Sequence, residues 1–131
     1  MKSPVLTESK PLILIIDDEM ILYELLSMVC PSYTYRWWDN CADGIKSIHA
    51  HGSSLSLVIL DYDLSGGMNG LEALEEIRLT WPHLPVLMWS GNHDIEAEAL
   101  AKGASAFLKK PLDPTVIEEA IDELLQKGKQ R

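Results

Sequence analysis

Five short apolar runs, each followed by a segment of helical period, constrain this chain more than any other feature of its sequence. Residues 11–16 (PLILII) and 55–60 (LSLVIL) are apolar almost throughout, the pattern of strands covered on both faces. Residues 85–90 (PVLMWS) and 105–109 (SAFLK) are shorter examples, whereas 33–38 (YTYRWW) is polar enough to predict an edge strand. Between them, 20–29 carries Ile21, Leu22, Leu25, Leu26 and Val29 at the spacing of one helical face. Residues 69–81 set Leu71, Leu74 and Ile77 against Glu72, Glu75, Glu76 and Arg78, and the segment 41–52 reads as a helix closed by Gly52. In 112–127, Asp113 is placed to cap and Pro114 to open a helix whose inward face is Val116, Ile117, Ala120, Ile121, Leu124 and Leu125. The segment 94–103 is the weakest helix, anchored only by Ile95, Ala99 and Leu100, and is expected to move most easily.

Strand-helix alternation repeated five times predicts an α/β fold, a doubly wound parallel sheet of five strands with five helices on its two faces. The flavodoxin-like strand order 2-1-3-4-5 is the natural one. With 131 residues, 47% hydrophobic and 24% charged, the chain has room for one core. The expected domain is 11–127, preceded by an extension at 1–10 and followed by a tail at 128–131. A formal charge of −9 without a basic cluster argues against nucleic acid or an anionic membrane as partner. Proteins, cations or small molecules remain. Cys30 and Cys41 have no metal-ligand spacing and are read as reduced thiols of a cytoplasmic protein. No apolar stretch is long enough to span a membrane, and the polar first ten residues lack the centre of a signal peptide.

In such a sheet, ligands bind beyond the carboxyl ends of the strands. The first strand ends in Asp17, Asp18 and Glu19, the third in Asp61, the fourth in Ser90 and the fifth in Lys110. Two carboxylates about 4 Å apart repel by roughly 4 kcal/mol at an effective dielectric near 20, so such a cluster calls for a cation, a proton or splayed geometry. Strands one and three are neighbours in the expected order, which brings Asp17, Asp18 and Asp61 together. A hard divalent cation, Mg2+ with Mn2+ able to substitute, resolves the repulsion and leaves room for a phosphoryl oxygen. An aspartate beside that cation, with a lysine and a hydroxyl opposite, has the parts for aspartyl-phosphate chemistry.

The stretches IIDDE, VILDYDLSGGMNGLE, PVLMWSG and KGASAFLKKPLDPTVIEEAI, in that order over residues 11–127, resemble the receiver domain of the two-component response-regulator family. The resemblance implies a CheY-like fold and a phosphorylation switch in which Asp61 takes a phosphoryl group from a phosphohistidine. Asp18 is then a direct Mg2+ ligand, Asp17 acts mainly through water, and the main-chain carbonyl of Asp63 completes the protein's share. Ser90 becomes the switch hydroxyl, Phe107 the aromatic that turns inward, and Lys110, directly before Pro111, the phosphoryl-binding lysine across an expected cis peptide. A sensor histidine kinase or a histidine phosphotransfer protein is the implied donor. The domain is not otherwise an enzyme: it catalyses only its own phosphorylation and dephosphorylation. Since no effector sequence follows LLQKGKQR, the output is expected to be a protein contact or phosphate relay, unless the chain is the receiver of a longer protein.

Four features depart from the commoner family pattern. The loop after Asp61 is one residue longer and has Ser65 where proline is usual, with Gly66 and Gly67 making it permissive. Ser90 replaces threonine and Phe107 replaces tyrosine. Asp63 adds a carboxylate two residues past the phosphoacceptor and is expected to change how long the phosphoryl group survives. Two other readings compete. A haloacid-dehalogenase-like phosphatase shares a DxD and a later serine, but places its paired metal ligands after the lysine. A pseudo-receiver would keep the fold and lack an acidic ligand or the lysine, and here all are present.

Overall fold

The computed structural model describes residues 10–64, 67–111 and 113–129. Its strands are β1 (Leu12–Ile16), β2 (Thr34–Trp38), β3 (Leu55–Asp61), β4 (Val86–Ser90) and β5 (Ala106–Lys109). They form one parallel sheet in the order β2-β1-β3-β4-β5, with the aromatic strand β2 at an edge as its polarity predicted. The helices are α1 (Ile21–Val29), α2 (Cys41–His51), α3 (Gly70–Thr80), α4 (Glu96–Ala101) and α5 (Pro114–Lys129).

Period-two alternation along the strands divides the core into two layers. Leu14, Ile16, Val58, Leu60, Val86 and Met88 face one way and pack on α2, α3 and α4 through residues such as Ile48, Leu74, Ile77 and Ala99. Ile13, Ile15, Leu57, Ile59, Leu87 and Trp89 face the other way and pack on Leu22 and Leu26 of α1 and Ile117 and Ile121 of α5. Burying both faces is what made the strands read as continuous apolar runs. Tyr33 of the β2 approach donates its hydroxyl hydrogen to Asp122 of α5, tying the sheet edge to the last helix.

Helix ends follow local chemistry. Asn69 accepts from the Glu72 amide at 2.9 Å while the Glu72 side chain accepts from the Asn69 amide at 3.0 Å, a reciprocal capping box that starts α3. Asn40 caps α2 by accepting from the Asp43 amide at 2.8 Å, and Gly52, at φ 58°, closes it as predicted. The Asp113 side chain accepts from the Thr115 amide at the start of α5.

Several inward-facing assignments need correction. Ile21 is 64% exposed, and Val29 is exposed too, because α1 seats only the two turns centred on Leu22 and Leu26. Val116, at 42%, lies one helical step (100°) off the Ile117–Ile121 stripe. Leu100 is likewise exposed beside the buried Ala99, so α4, with only six residues, is held by Ile95 and Ala99. The α5 helix runs to Lys129, two residues beyond the expected boundary at 127. The extension at 1–9, the loop positions Ser65 and Gly66, Leu112, and the tail residues 130–131 lie outside the described residues.

Candidate functional site

Parallel pairing sets Ile16 beside Leu60, so Asp17 and Asp61 emerge together at the carboxyl edge of the sheet. Both are buried, at 1% and 0% exposure, while Asp18 reaches solvent. Carboxylate oxygens of Asp17, Asp18 and Asp61 all lie within 4.8 Å of one another. Lys110 enters from the end of β5, where the Lys110 amide donates to the Ser90 carbonyl at 2.9 Å and the Lys110–Pro111 peptide is cis. Five of the residues singled out in the sequence therefore meet at one edge.

The two oxygens of Asp61 have different surroundings. Oδ1 accepts from the Asp63 amide at 2.9 Å and stands 3.0 Å from Lys110 Nζ. Oδ2 is buried with no hydrogen-bond partner among the described residues. Asp17 Oδ1 accepts from the Glu19 amide at 2.9 Å, and its Oδ2 is 3.9 Å from Lys110 Nζ. Burial pushes the Asp17 carboxyl up to about 7; the Glu19 amide opposes this, the Asp61 charge adds to it, and Lys110 again opposes. Asp61 is raised for the same leading reason, against the Asp63 amide and Lys110. One ammonium thus faces three clustered carboxylates, two of them desolvated. Three carboxylates whose oxygens lie within 4.8 Å of one another, faced by a single ammonium, fit a hard divalent cation.

Ser90 ends β4 fully buried. Its Oγ accepts from the Asn92 amide at 2.8 Å and donates to Asp63 Oδ2 at 2.8 Å. Phe107 stands apart from this polar cluster, opposite Met88 on β5 and half-buried in the layer under α4. Trp89 points into the α1–α5 layer with Lys110 Nζ 4.5 Å from its ring centroid, and Tyr62 packs on the opposite layer.

The family described as the response regulator receiver domain matches residues 13–122. The chain belongs to that family. It is 28% identical over 119 residues to the chemotaxis protein CheY of Treponema pallidum, covering 87% of this chain and 82% of that one. A response regulator receiver domain protein from Clostridium thermocellum has a similar structure, with TM-score 0.84 and 25% identity over 92% of this chain and 98% of that chain. Longer relatives match through one part only. The chain covers 26% of the transcriptional regulatory protein GlrR of Escherichia coli K12, at 28% identity, and 17% of ARR21 of Arabidopsis thaliana, at 30%. Receiver domains are phosphorylation switches of two-component systems; they interact with histidine kinases or phosphotransfer proteins and use Mg2+ at an acidic pocket. The phosphatase reading of the sequence falls with this family assignment.

Sequence reasoning missed two features of this receiver site. The side chain of Asp63 reaches across to β4, and no periodicity signals a carboxylate that bridges two loops. Gly70, the first residue of α3, lies so close to the site that a Cβ there would stand 2.7 Å from the Asp61 carbonyl oxygen and from Tyr62 Cα. Its only trace in the sequence is its place directly after the cap residue Asn69.

Proposed function

We propose that this receiver takes a phosphoryl group from a phosphohistidine of a sensor kinase or phosphotransfer protein onto Asp61 Oδ2, and that the phosphorylated form presents an altered surface to a protein partner. The observation that carries this reading is the asymmetry of Asp61: Oδ1 is held by the Asp63 amide and Lys110, while Oδ2 is buried with no hydrogen-bond partner among the described residues. An oxygen without hydrogen-bond donors keeps its lone pairs for attack. Oδ2 attacks phosphorus, the nitrogen–phosphorus bond breaks, and the imidazole leaves with the bonding pair and takes a proton. Lys110 Nζ, within reach of both Asp61 and Asp17, moves onto the phosphoryl oxygens. Asp17, Asp18, Asp61 and the Asp63 main-chain carbonyl would hold Mg2+, which would supply neutralisation of the phosphoryl charge.

Ser90 then donates to the phosphoryl group, and Phe107 turns toward the space vacated. The lightly anchored α4, with β5 and α5, forms the surface that changes; two states a few kcal/mol apart suffice. The domain acts on no other substrate, and the free, buried Cys30 and Cys41 suit the reducing cytoplasm in which we place it.

Intact mass after incubation with acetyl phosphate, with and without Mg2+, tests the reading. One Mg2+-dependent phosphoryl adduct on the parent, absent from Asp61→Asn, is expected. An adduct that persists in Asp61→Asn places the chemistry on another residue.

A further inference from the structure

The hydroxyl that the phosphoryl group needs is already engaged. Asn92 donates its amide hydrogen to Ser90 Oγ, so the single hydroxyl hydrogen of Ser90 is directed to Asp63 Oδ2 at 2.8 Å. The Gly91 amide donates to the same oxygen at 3.2 Å. Two donors at the end of β4 therefore converge on one anionic oxygen, and that oxygen belongs to the chain itself.

We infer that the Asp63 carboxylate is a tethered competitor of the phosphoryl group: it occupies the Ser90 hydroxyl and the Gly91 amide in the unphosphorylated state and must leave before an oxygen on phosphorylated Asp61 can take them. The inference rests on Asp61 being the phosphoacceptor and assigns a regulatory role at that same site. The geometry supports competition in three ways. The backbone of Asp63 is pinned, its amide donating to Asp61 Oδ1 at 2.9 Å, so the side chain starts next to the reacting carboxylate. Charge-assisted bonds to a carboxylate oxygen are about twice as strong as neutral ones, so the occupied state is well held. Asp63 is nevertheless exposed, whereas Ser90 is fully buried, so the carboxylate can swing out and exchange these bonds for hydration while the hydroxyl stays in place.

Competition and like-charge repulsion act in the same direction. Both make the phosphorylated state harder to reach than in a receiver with an uncharged side chain at this position. Asp63 thus raises the donor level needed to throw the switch, and its place two residues after Asp61 makes it a positioning residue for Ser90.

Beryllium fluoride with Mg2+, titrated against the parent, Asp63→Asn and Asp63→Ala and followed by tryptophan fluorescence and calorimetry, tests this. Each substitution keeps the main-chain carbonyl at position 63. Removing a charge-assisted competitor is expected to tighten the complex about tenfold in Asp63→Ala. Asp63→Asn, which keeps an acceptor for both donors and loses the charge, falls between. A merely structural role predicts the opposite sign, so equal or weaker binding by Asp63→Ala overturns the inference. If the parent and both variants fail to bind and Asp61→Asn behaves identically, the phosphoacceptor reading fails and the competitor falls with it. In the metal-free protein, the Gly91 amide proton should move upfield and exchange faster in Asp63→Ala. An unchanged Gly91 resonance shows that the contact is not formed in solution and also overturns the inference.

Discussion

Lys110 lays its ammonium 4.5 Å from the centre of the Trp89 ring while reaching 3.0 Å to Asp61 Oδ1. The ring face is a weak electrostatic acceptor in a partly desolvated place, worth about 0.5–2 kcal/mol there. It steadies a long side chain that otherwise loses rotamer freedom to reach the site.

Trp89→Leu should slow phosphorylation by acetyl phosphate about three- to tenfold, with Trp89→Phe keeping most of the rate. Pseudo-first-order rates at saturating Mg2+ measure this, and equal rates in all three proteins would remove any role of the ring in placing Lys110.

Gly70 admits no side chain because backbone atoms of Asp61 and Tyr62 occupy the space. Gly70→Ala must push β3's last residue away from α3, since no flexible side-chain tip is there to yield. Such overpacking costs about 1–3 kcal/mol. Urea unfolding should show that loss together with reduced Mg2+ affinity.

Asp17, its carboxyl pushed up to about 7 chiefly by burial, links both stability and metal affinity to pH. Its ordinary value is near 3.8, so between there and about 7 the folded protein keeps a proton that the unfolded chain has lost. Metal-free stability from this group is therefore full below the lower value and lost as pH rises toward the upper one. In EDTA the urea midpoint should fall from pH 5 to pH 8, and fall less in Asp17→Asn. Cation binding requires the ionised form, so Mg2+ affinity should weaken below pH 7 by up to about tenfold per unit from this group. Fluorescence titrations at pH 6, 7 and 8 measure it; a flat profile would show Asp17 ionised throughout.

Arg78 of α3 donates Nε to the Gly103 carbonyl at 2.8 Å and Nη1 to the carbonyls of Trp81 and Leu84 at 3.0 and 2.7 Å. One side chain thereby satisfies backbone acceptors on both sides of β4. Arg78→Met should cost about 2–4 kcal/mol, chiefly by taking the donors from the Gly103 and Leu84 carbonyls, since the Trp81 carbonyl keeps the Leu84 amide; Mg2+ affinity should change little because none of these groups touches the acidic cluster. Chemical unfolding and metal titration of the same variant separate the two effects.

The α/β class, the strand order and the meeting of Asp17, Asp18, Asp61, Ser90 and Lys110 were legible in the chain. Apolar runs report two-sided burial, and parallel topology forces strand ends to one edge, so residues distant in sequence converge without any detail of packing. The errors lie where periodicity is a poor guide. Ile21, Val29, Leu100 and Val116 have apolar side chains at or near helical spacing, yet coverage depends on how much of each helix its neighbours reach. The placement of Asp63 on Ser90 and of Lys110 over Trp89 depends on loop conformation and side-chain rotamers, which no local pattern encodes. The sequence by itself determined which groups stand at the edge, because strand length and polarity set that. Which oxygen of Asp61 is free and which anion holds Ser90 were decided only by tertiary structure, through hydrogen bonds between loops that approach one another in space alone.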